Sequence, residues 1–198
     1  MYRDILSQIS KKYDKVVVEI GSGNGVSLIN FLEYCDKKKT FFIGIEIDNV
    51  QYFNACEKMK KMGADNIQFI NESFENFFSE IESDSIDTVL SILPHPDYID
   101  KNSQKIWVPK YKKVLKKIKK NGYFILITEL IDELLEPVTE IKYRQWRKWL
   151  IETFRRVGFK IIKIIDYGAP SYLSSHYLNK FRNDPQRIKI ISLIMIKI

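Results

Sequence analysis

Cysteine is nearly absent: Cys35 and Cys56 are the only two in 198 residues, they form no CxxC pair, and His95 and His176 are the only histidines. A disulfide framework is therefore excluded, and a zinc site would lack ligands. Both thiols are expected to be buried. There is no internal repeat, low-complexity tract or composition shift to mark a second domain, and a chain of this length fits one core. One domain over residues 1–198 is expected, with residues 1–14 as a helical N-terminal extension. The stretch Met1–Lys12 carries Arg3 and Asp4 and lacks the apolar run and small-residue cleavage site of a signal peptide. The expectation is a cytoplasmic protein without a membrane segment.

What is present is a soluble-protein composition, 45% hydrophobic and 29% charged, with a net charge of +7. The charge is unevenly divided. Residues 1–100 hold 10 Lys+Arg against 17 Asp+Glu, and residues 101–198 hold 22 against 8, giving −7 and +14. Such polarity is expected where one part handles a small cofactor and another meets a polyanion, although a solvated lysine surface gives the same count.

Short β-branched or aromatic runs alternate with stretches of helical spacing, the pattern of strand–helix units in a parallel sheet. Strands are expected at Lys15–Ile20, Phe41–Ile47, Asn66–Asn71, Ile86–Leu93 and Tyr123–Leu130, nearly continuous apolar runs that suit burial on both faces. Helices are expected at Val26–Tyr34, Asn49–Lys61 and Lys105–Lys120, the last with a lysine-rich outer face. A further helix is expected from Pro137 to Val157, ended by Gly158. Trp146 and Trp149, three apart on it, read as packing residues. Two late runs, Lys160–Tyr167 and Arg187–Ile198, complete seven strands. The polar segment 168–186 between them is long for a passive connection and is expected to be a substrate-side loop.

The sequence Glu19-Ile20-Gly21-Ser22-Gly23-Asn24-Gly25 follows a strand and precedes a helix. Glycine permits close backbone approach to a ligand lying across the strand end. Gly44-Ile45-Glu46-Ile47-Asp48 places an acidic residue at the end of the second strand, about 20 residues further on, where it can accept both ribose hydroxyls. The spacing is GxGxG, shorter than the GxGxxG of dinucleotide binders, and Glu19 ahead of it suits a ligand bearing an ammonium and a sulfonium.

With these features the chain resembles the class I methyltransferases, and within them the tRNA (guanine-N7)-methyltransferase family. The segments VVEIGSGNG, FFIGIEIDN, NIQFINESF, LSILPHPDY and GYFILITE are similar to that family's successive cofactor and active-site segments, in order. The resemblance implies a Rossmann-like α/β fold, a mostly parallel seven-stranded sheet with helices on both faces. It implies S-adenosylmethionine held by Glu19 and Glu46, with Gly21, Ser22, Gly23, Asn24, Gly25 and Ile47 shaping the pocket. Where the family has an aspartate near the adenine, this chain offers Asn71, Glu72 or Ser73.

After the fourth strand the family pattern Pro-Asp-Pro-Trp reads Pro94-His95-Pro96-Asp97-Tyr98 here, so His95 stands at the position of the family's aspartate. His95 reads equally as a catalytic group or a polar loop residue. Thr128-Glu129 matches a substrate-side position, and Asn179-Lys180-Phe181-Arg182 aligns loosely with the family's Thr-x-Phe-Glu. The expected catalytic set is His95, Asp97 and Glu129, with Tyr98 stacking on the base and Thr128 near the substrate. Lys116, Lys117, Arg144 and Arg147 are expected on RNA phosphates, contacts that carry little sequence information. The function implied is methyl transfer to guanine N7 of tRNA. Another RNA position, a protein or a small molecule is the second reading, and a non-catalytic RNA-binding subunit the third.

Overall fold

The computed structural model describes residues 2–132 and 134–198; Met1, within the expected 1–14 extension, lies outside them. The first element is a helix, α1 (Tyr2–Lys12), whose Tyr2, Leu6 and Ile9 are buried, so this segment is docked on the core. Alternating units follow: β1 (Lys15–Ile20), α2 (Val26–Leu32), β2 (Thr40–Glu46), α3 (Asn49–Met62), β3 (Ile67–Asn71), α4 (Phe74–Glu80) and β4 (Ile86–Ile92). The chain continues through α5 (Gln104–Lys117), β5 (Ile118–Ile131), α6 (Glu140–Val157), β6 (Phe159–Asp166), α7 (His176–Arg182) and β7 (Ile188–Lys197). The strands form one seven-stranded sheet in the order β3-β2-β1-β4-β5-β7-β6. The strands β1 to β5 pair in parallel, and β7, inserted between β5 and β6, runs antiparallel to both. This is the expected α/β Rossmann-like architecture.

Because side chains alternate along a strand, the sheet feeds two apolar cores. Val16, Val18 and Ile20 of β1 join one core with α1, α4, α5 and α6, while Val17 joins the other with α2, α3 and α7. The first core centres on Trp107, fully buried against Tyr111 (centroids 5.6 Å apart) and Phe154 (5.9 Å), its indole N–H donating to the Asp100 carbonyl at 2.7 Å. Trp146 and Trp149 pack against the same core, as their spacing suggested.

The boundaries of two expected helices, α6 and α5, are set by local contacts. The helix expected from Pro137 begins at Glu140, because the Thr139 hydroxyl caps it by accepting the Lys142 N–H (3.3 Å), while the Val138 N–H is tied to the Gln186 carbonyl (3.0 Å). The α5 helix stops at Lys117, since Ile118 pairs with Ile86 in the β-ladder; Lys119 and Lys120 are therefore strand residues, and Lys119 donates to the Asp87 carboxylate (2.8 Å). Segment 168–186 contains α7. The thiols of Cys35 and Cys56 are half-buried rather than fully buried. Among the described residues no helix is long and apolar enough to cross a membrane, and no cluster of His, Cys, Asp or Glu is arranged to hold a metal ion.

Candidate active site

In the order β3-β2-β1-β4-β5 the chain reverses its direction of travel across the sheet between β1 and β4, and the crevice outside the strands' carboxyl ends at such a point is where ligands bind in open α/β sheets. A cleft opens there. One part, a cavity of about 600 Å³, is lined by Glu19 and the turn Gly21–Asn24, by Pro94, His95 and Glu129, and by residues of α7. The second part, about 370 Å³, is lined by Glu46, Ile47, Glu72, Ser73, Tyr98 and Tyr111 among others, and shares Gly21, Ile92, Leu93, Pro94 and His95 with the first.

The glycine turn is clamped from several directions. The Ser22 N–H donates to the Ile45 carbonyl (2.9 Å), the Gly25 N–H to the Ser22 carbonyl (2.9 Å), and the Lys58 ammonium to the Asn24 carbonyl (3.1 Å). Gly25 has a φ of +77°, and a Cβ there would lie 2.5 Å from the Phe69 ring, so the turn can lie this close to the sheet only as glycine. At the end of β4, Leu93 adopts a φ of +51°, a left-handed conformation unusual for a branched side chain. Its N–H is held by the Ile127 carbonyl (2.8 Å), and the turn it makes carries Pro94-His95-Pro96 over the cleft.

Two carboxylates define the chemistry of the larger cavity. Glu19 is 1% exposed, and its Oε2 has no hydrogen-bond partner. Burial, reinforced by the neighbouring charge of Glu46, pushes its carboxyl well above the usual range, against the opposing pull of the Ser27 hydroxyl and the Leu28 N–H. Glu129 enters from β5 with its Oε2 also buried and unpartnered, and burial pushes it up to about 7. Two such groups facing one space make it a site for positive charge. Glu46 is different, because its Oε2 accepts the Gly23 N–H (2.7 Å) and its Oε1 the Asp48 N–H (2.9 Å). Each oxygen keeps a free lone pair for a hydroxyl donor.

The other expected residues divide sharply. Ile47, Glu72 and Ser73 line the smaller cavity, with Glu72 oriented by the Ser73 N–H (2.7 Å) and Asn76 amide (3.0 Å), and Ser73 capping α4. Asn71 does not line it; its amide ties down the carbonyls of Glu46 (2.9 Å) and Ile47 (3.3 Å). His95 reaches both cavities, with Nδ1 3.4 Å from an Asp97 carboxylate that itself faces solvent. Tyr98 lines the smaller cavity, but Lys110 sits over its ring (4.4 Å), Phe74 meets it edge-on (5.1 Å) and its hydroxyl donates to Glu75 (3.2 Å). Thr128 is fully buried, because alternation along β5 turns it away from the face that carries Glu129.

The basic residues lie outside the cleft. Arg144 pairs with Glu140 (2.9 Å) and Arg147 with Asp166 (2.6 Å). Lys116 and Lys117 end α5 beside Asp84 and Ser85, at the amino ends of the strands, and the Lys117 ammonium donates to the Ile81 carbonyl (2.5 Å). The helix runs antiparallel to the strands, and its C-terminal end lies about 20 Å from its N-terminal end. Sequence reasoning missed Asp48, Gln51 and Ser27 in the larger cavity and, above all, Ser175, His176 and Tyr177 of the α7 region; Phe181, loosely matched, also lines it.

This geometry agrees with what the chain is similar to. A family profile described as a methyltransferase domain matches residues 11–155. No curated protein matches. Among solved structures, an antibiotic related methyltransferase is 18% identical over 98% of this chain and 94% of its own, with a TM-score of 0.69. The 30S ribosomal A1408 methyltransferase from an uncultured bacterium is 20% identical over 98% and 93%, with a TM-score of 0.69. Geranyl diphosphate C-methyltransferase from Streptomyces coelicolor A3(2), bound to Mg2+, geranyl diphosphate and S-adenosyl-L-homocysteine, is 8% identical over 98% and 79%, with a TM-score of 0.65. At such identities these structures speak for the fold alone. The profile covers most of the chain, and the chain belongs to the methyltransferase domain family, with S-adenosylmethionine as its methyl donor.

Proposed function

We propose that this chain methylates N7 of a guanine in tRNA. The observation that carries the reading is the pair of buried, unpartnered carboxylates, Glu19 and Glu129, that line one cavity at the strand ends. The donor, when bound, supplies an electrophilic methyl group on a sulfonium. Glu19 fits its cationic end, Glu46 its ribose hydroxyls, and Ile47, Glu72 and Ser73 its adenine side. Guanine N7 presents a lone pair, so no proton has to leave; alignment of acceptor and donor supplies most of the rate. Positive charge moves onto the purine in the transfer, and the Glu129 carboxylate, on the acceptor side, stabilises it. His95, overhanging both parts of the cleft, helps to orient the base, with Asp97 beside it.

RNA as the acceptor is supported by the net charge of +7 and its concentration in residues 101–198. Because Lys116 lies a helix length from the cleft, its contact with RNA would require a substrate with a body extending along α5. The Lys116→Glu variant is therefore expected to weaken tRNA binding and lower the slope of affinity against salt by about one, without altering donor binding. An unchanged slope would remove α5 from the RNA path. Lys117 is not a clean test, since its ammonium holds a backbone carbonyl.

A small-molecule acceptor is the second reading, favoured by the engagement of Arg144 and Arg147 in ion pairs outside the cleft. The deciding experiment is transfer from labelled S-adenosylmethionine to bulk unmodified tRNA, followed by nucleoside analysis. A 7-methylguanosine peak is expected. Label in a different nucleoside would keep RNA and change the position. Absence of label with donor binding intact would overturn the tRNA reading in favour of a small acceptor or a non-catalytic subunit.

A further inference from the structure

We infer that Tyr177 is the aromatic platform for the acceptor, and that α7, rather than the Pro94–Tyr98 turn, selects a planar ring. The inference rests on the proposed nucleobase acceptor. The aromatic residue nearest to hand in the sequence motif is Tyr98, but its ring is occupied: Lys110 sits over it at 4.4 Å, the Phe74 edge is 5.1 Å away and its hydroxyl is bonded to Glu75. Little of that ring is left for a base.

Tyr177 is in the opposite situation. It lines the larger cavity together with the Gly21–Asn24 turn, yet is 64% exposed, with a His176 ring (5.5 Å) and a Phe181 ring (6.5 Å) beside it. An exposed aromatic side chain on a flexible loop would carry little meaning. Here the backbone beneath it is fastened. The Arg182 guanidinium donates to the carbonyls of Ala169 (3.3 Å), Pro170 (3.4 Å) and Leu173 (3.3 Å), and the Ser175 hydroxyl accepts the Leu178 N–H (3.1 Å). Leu178 is fully buried, and the Asn30 amide holds the Ser174 carbonyl (3.3 Å) from α2. An aromatic face on a fastened support loses little conformational freedom when a base stacks on it. Its negative π-face also favours the positive charge that the purine acquires on methylation.

The test compares wild type with Tyr177→Ala and Tyr177→Phe, using bulk unmodified tRNA as acceptor and S-adenosyl-L-homocysteine affinity as the control for fold and donor site. In Tyr177→Ala the KM for tRNA is expected to rise about ten-fold, within the range that loss of one base–aromatic stack produces. Tyr177→Phe, which keeps the ring, should restore the wild-type KM, and S-adenosyl-L-homocysteine should bind all three proteins equally. A Tyr177→Ala KM equal to wild type would overturn the inference while leaving tRNA methylation standing. Failure of the wild type to methylate tRNA would overturn both, and the two failures are thereby distinguishable.

Discussion

Glu19→Gln should weaken binding of S-adenosylmethionine by about two orders of magnitude while making the ligand-free protein harder to unfold. The opposing signs follow from one fact, a carboxylate that is 1% exposed with an unpartnered Oε2. Without a cation beside it, a buried carboxyl is a burden on the fold, and this one is kept well above its usual titration range by burial and by Glu46. Glutamine has nearly the same shape and no charge to desolvate, so the empty fold gains. With the donor's cationic end bound, the carboxylate becomes half of a buried pair. Removing one partner of such a pair costs about 3 kcal/mol, or about 100-fold in affinity. Pairing also favours the ionised carboxyl, so binding in the wild type should release a proton and strengthen as pH rises through the range where Glu19 titrates; that dependence should flatten in Glu19→Gln. Titration calorimetry at several pH values, with melting curves of the ligand-free proteins, measures both effects. Equal donor affinity in the two proteins would remove Glu19 from the role.

The sheet was readable because its strands are buried on both faces. Lys15–Ile20 is found where its apolar run ends, and the other parallel strands begin and end within a residue or two of theirs, except β5, which starts five residues early through its pairing at Ile118. The glycine turn was readable for a related reason: its spacing reflects a backbone requirement, here the 2.5 Å approach of Phe69 to any Cβ at position 25. The helix α4 went unread even though Phe74, Phe77, Phe78 and Ile81 recur at helical spacing behind the Ser73 cap, because seven residues directly after a strand read as the tail of a motif.

The lysines of α5 obey a different constraint. A crossover helix between parallel strands must run back along the sheet, so the last turn of α5 necessarily lies at the amino ends of the strands. Lys116 and Lys117 were therefore excluded from the cleft by topology already visible in the alternation of elements. Strand alternation likewise allowed only one of Thr128 and Glu129 to face the site. By contrast, no sequence rule brings Glu75 and Lys110, 35 residues apart, together onto Tyr98, and none brings the start of α7 into the cavity lined by Glu19. These contacts come from packing, and they decide which aromatic ring is free.

Glu129→Gln should separate stability from turnover in a pH-dependent way. In an unfolded chain a glutamate titrates near 4.3, so at about pH 4 and below Glu129 is protonated in both states and contributes no difference. Between about 4.3 and 7 the unfolded chain releases its proton while the buried carboxyl, pushed up to about 7, keeps its own. Stability contributed by this residue therefore falls as pH rises through that window, and above 7 the full penalty is present, about 4 kcal/mol at about 1.4 kcal/mol for each pH unit of the window. Glutamine carries no such penalty. Urea denaturation of the ligand-free variant should show it more stable than wild type by up to that amount at pH 8, with the gap closing towards pH 4.5. Methyl transfer at pH 8, where the wild-type carboxylate is ionised, should fall about 100-fold through kcat, as expected when a charge aimed at the reacting centre is removed. Wild-type kcat should itself decline as pH drops below about 7, and the variant should lack this step. Equal unfolding midpoints at pH 8 would mean that Glu129 is solvated in the fold. Unchanged kcat with the predicted gain in stability would mean that the acceptor sits elsewhere in the cavity, closer to His95.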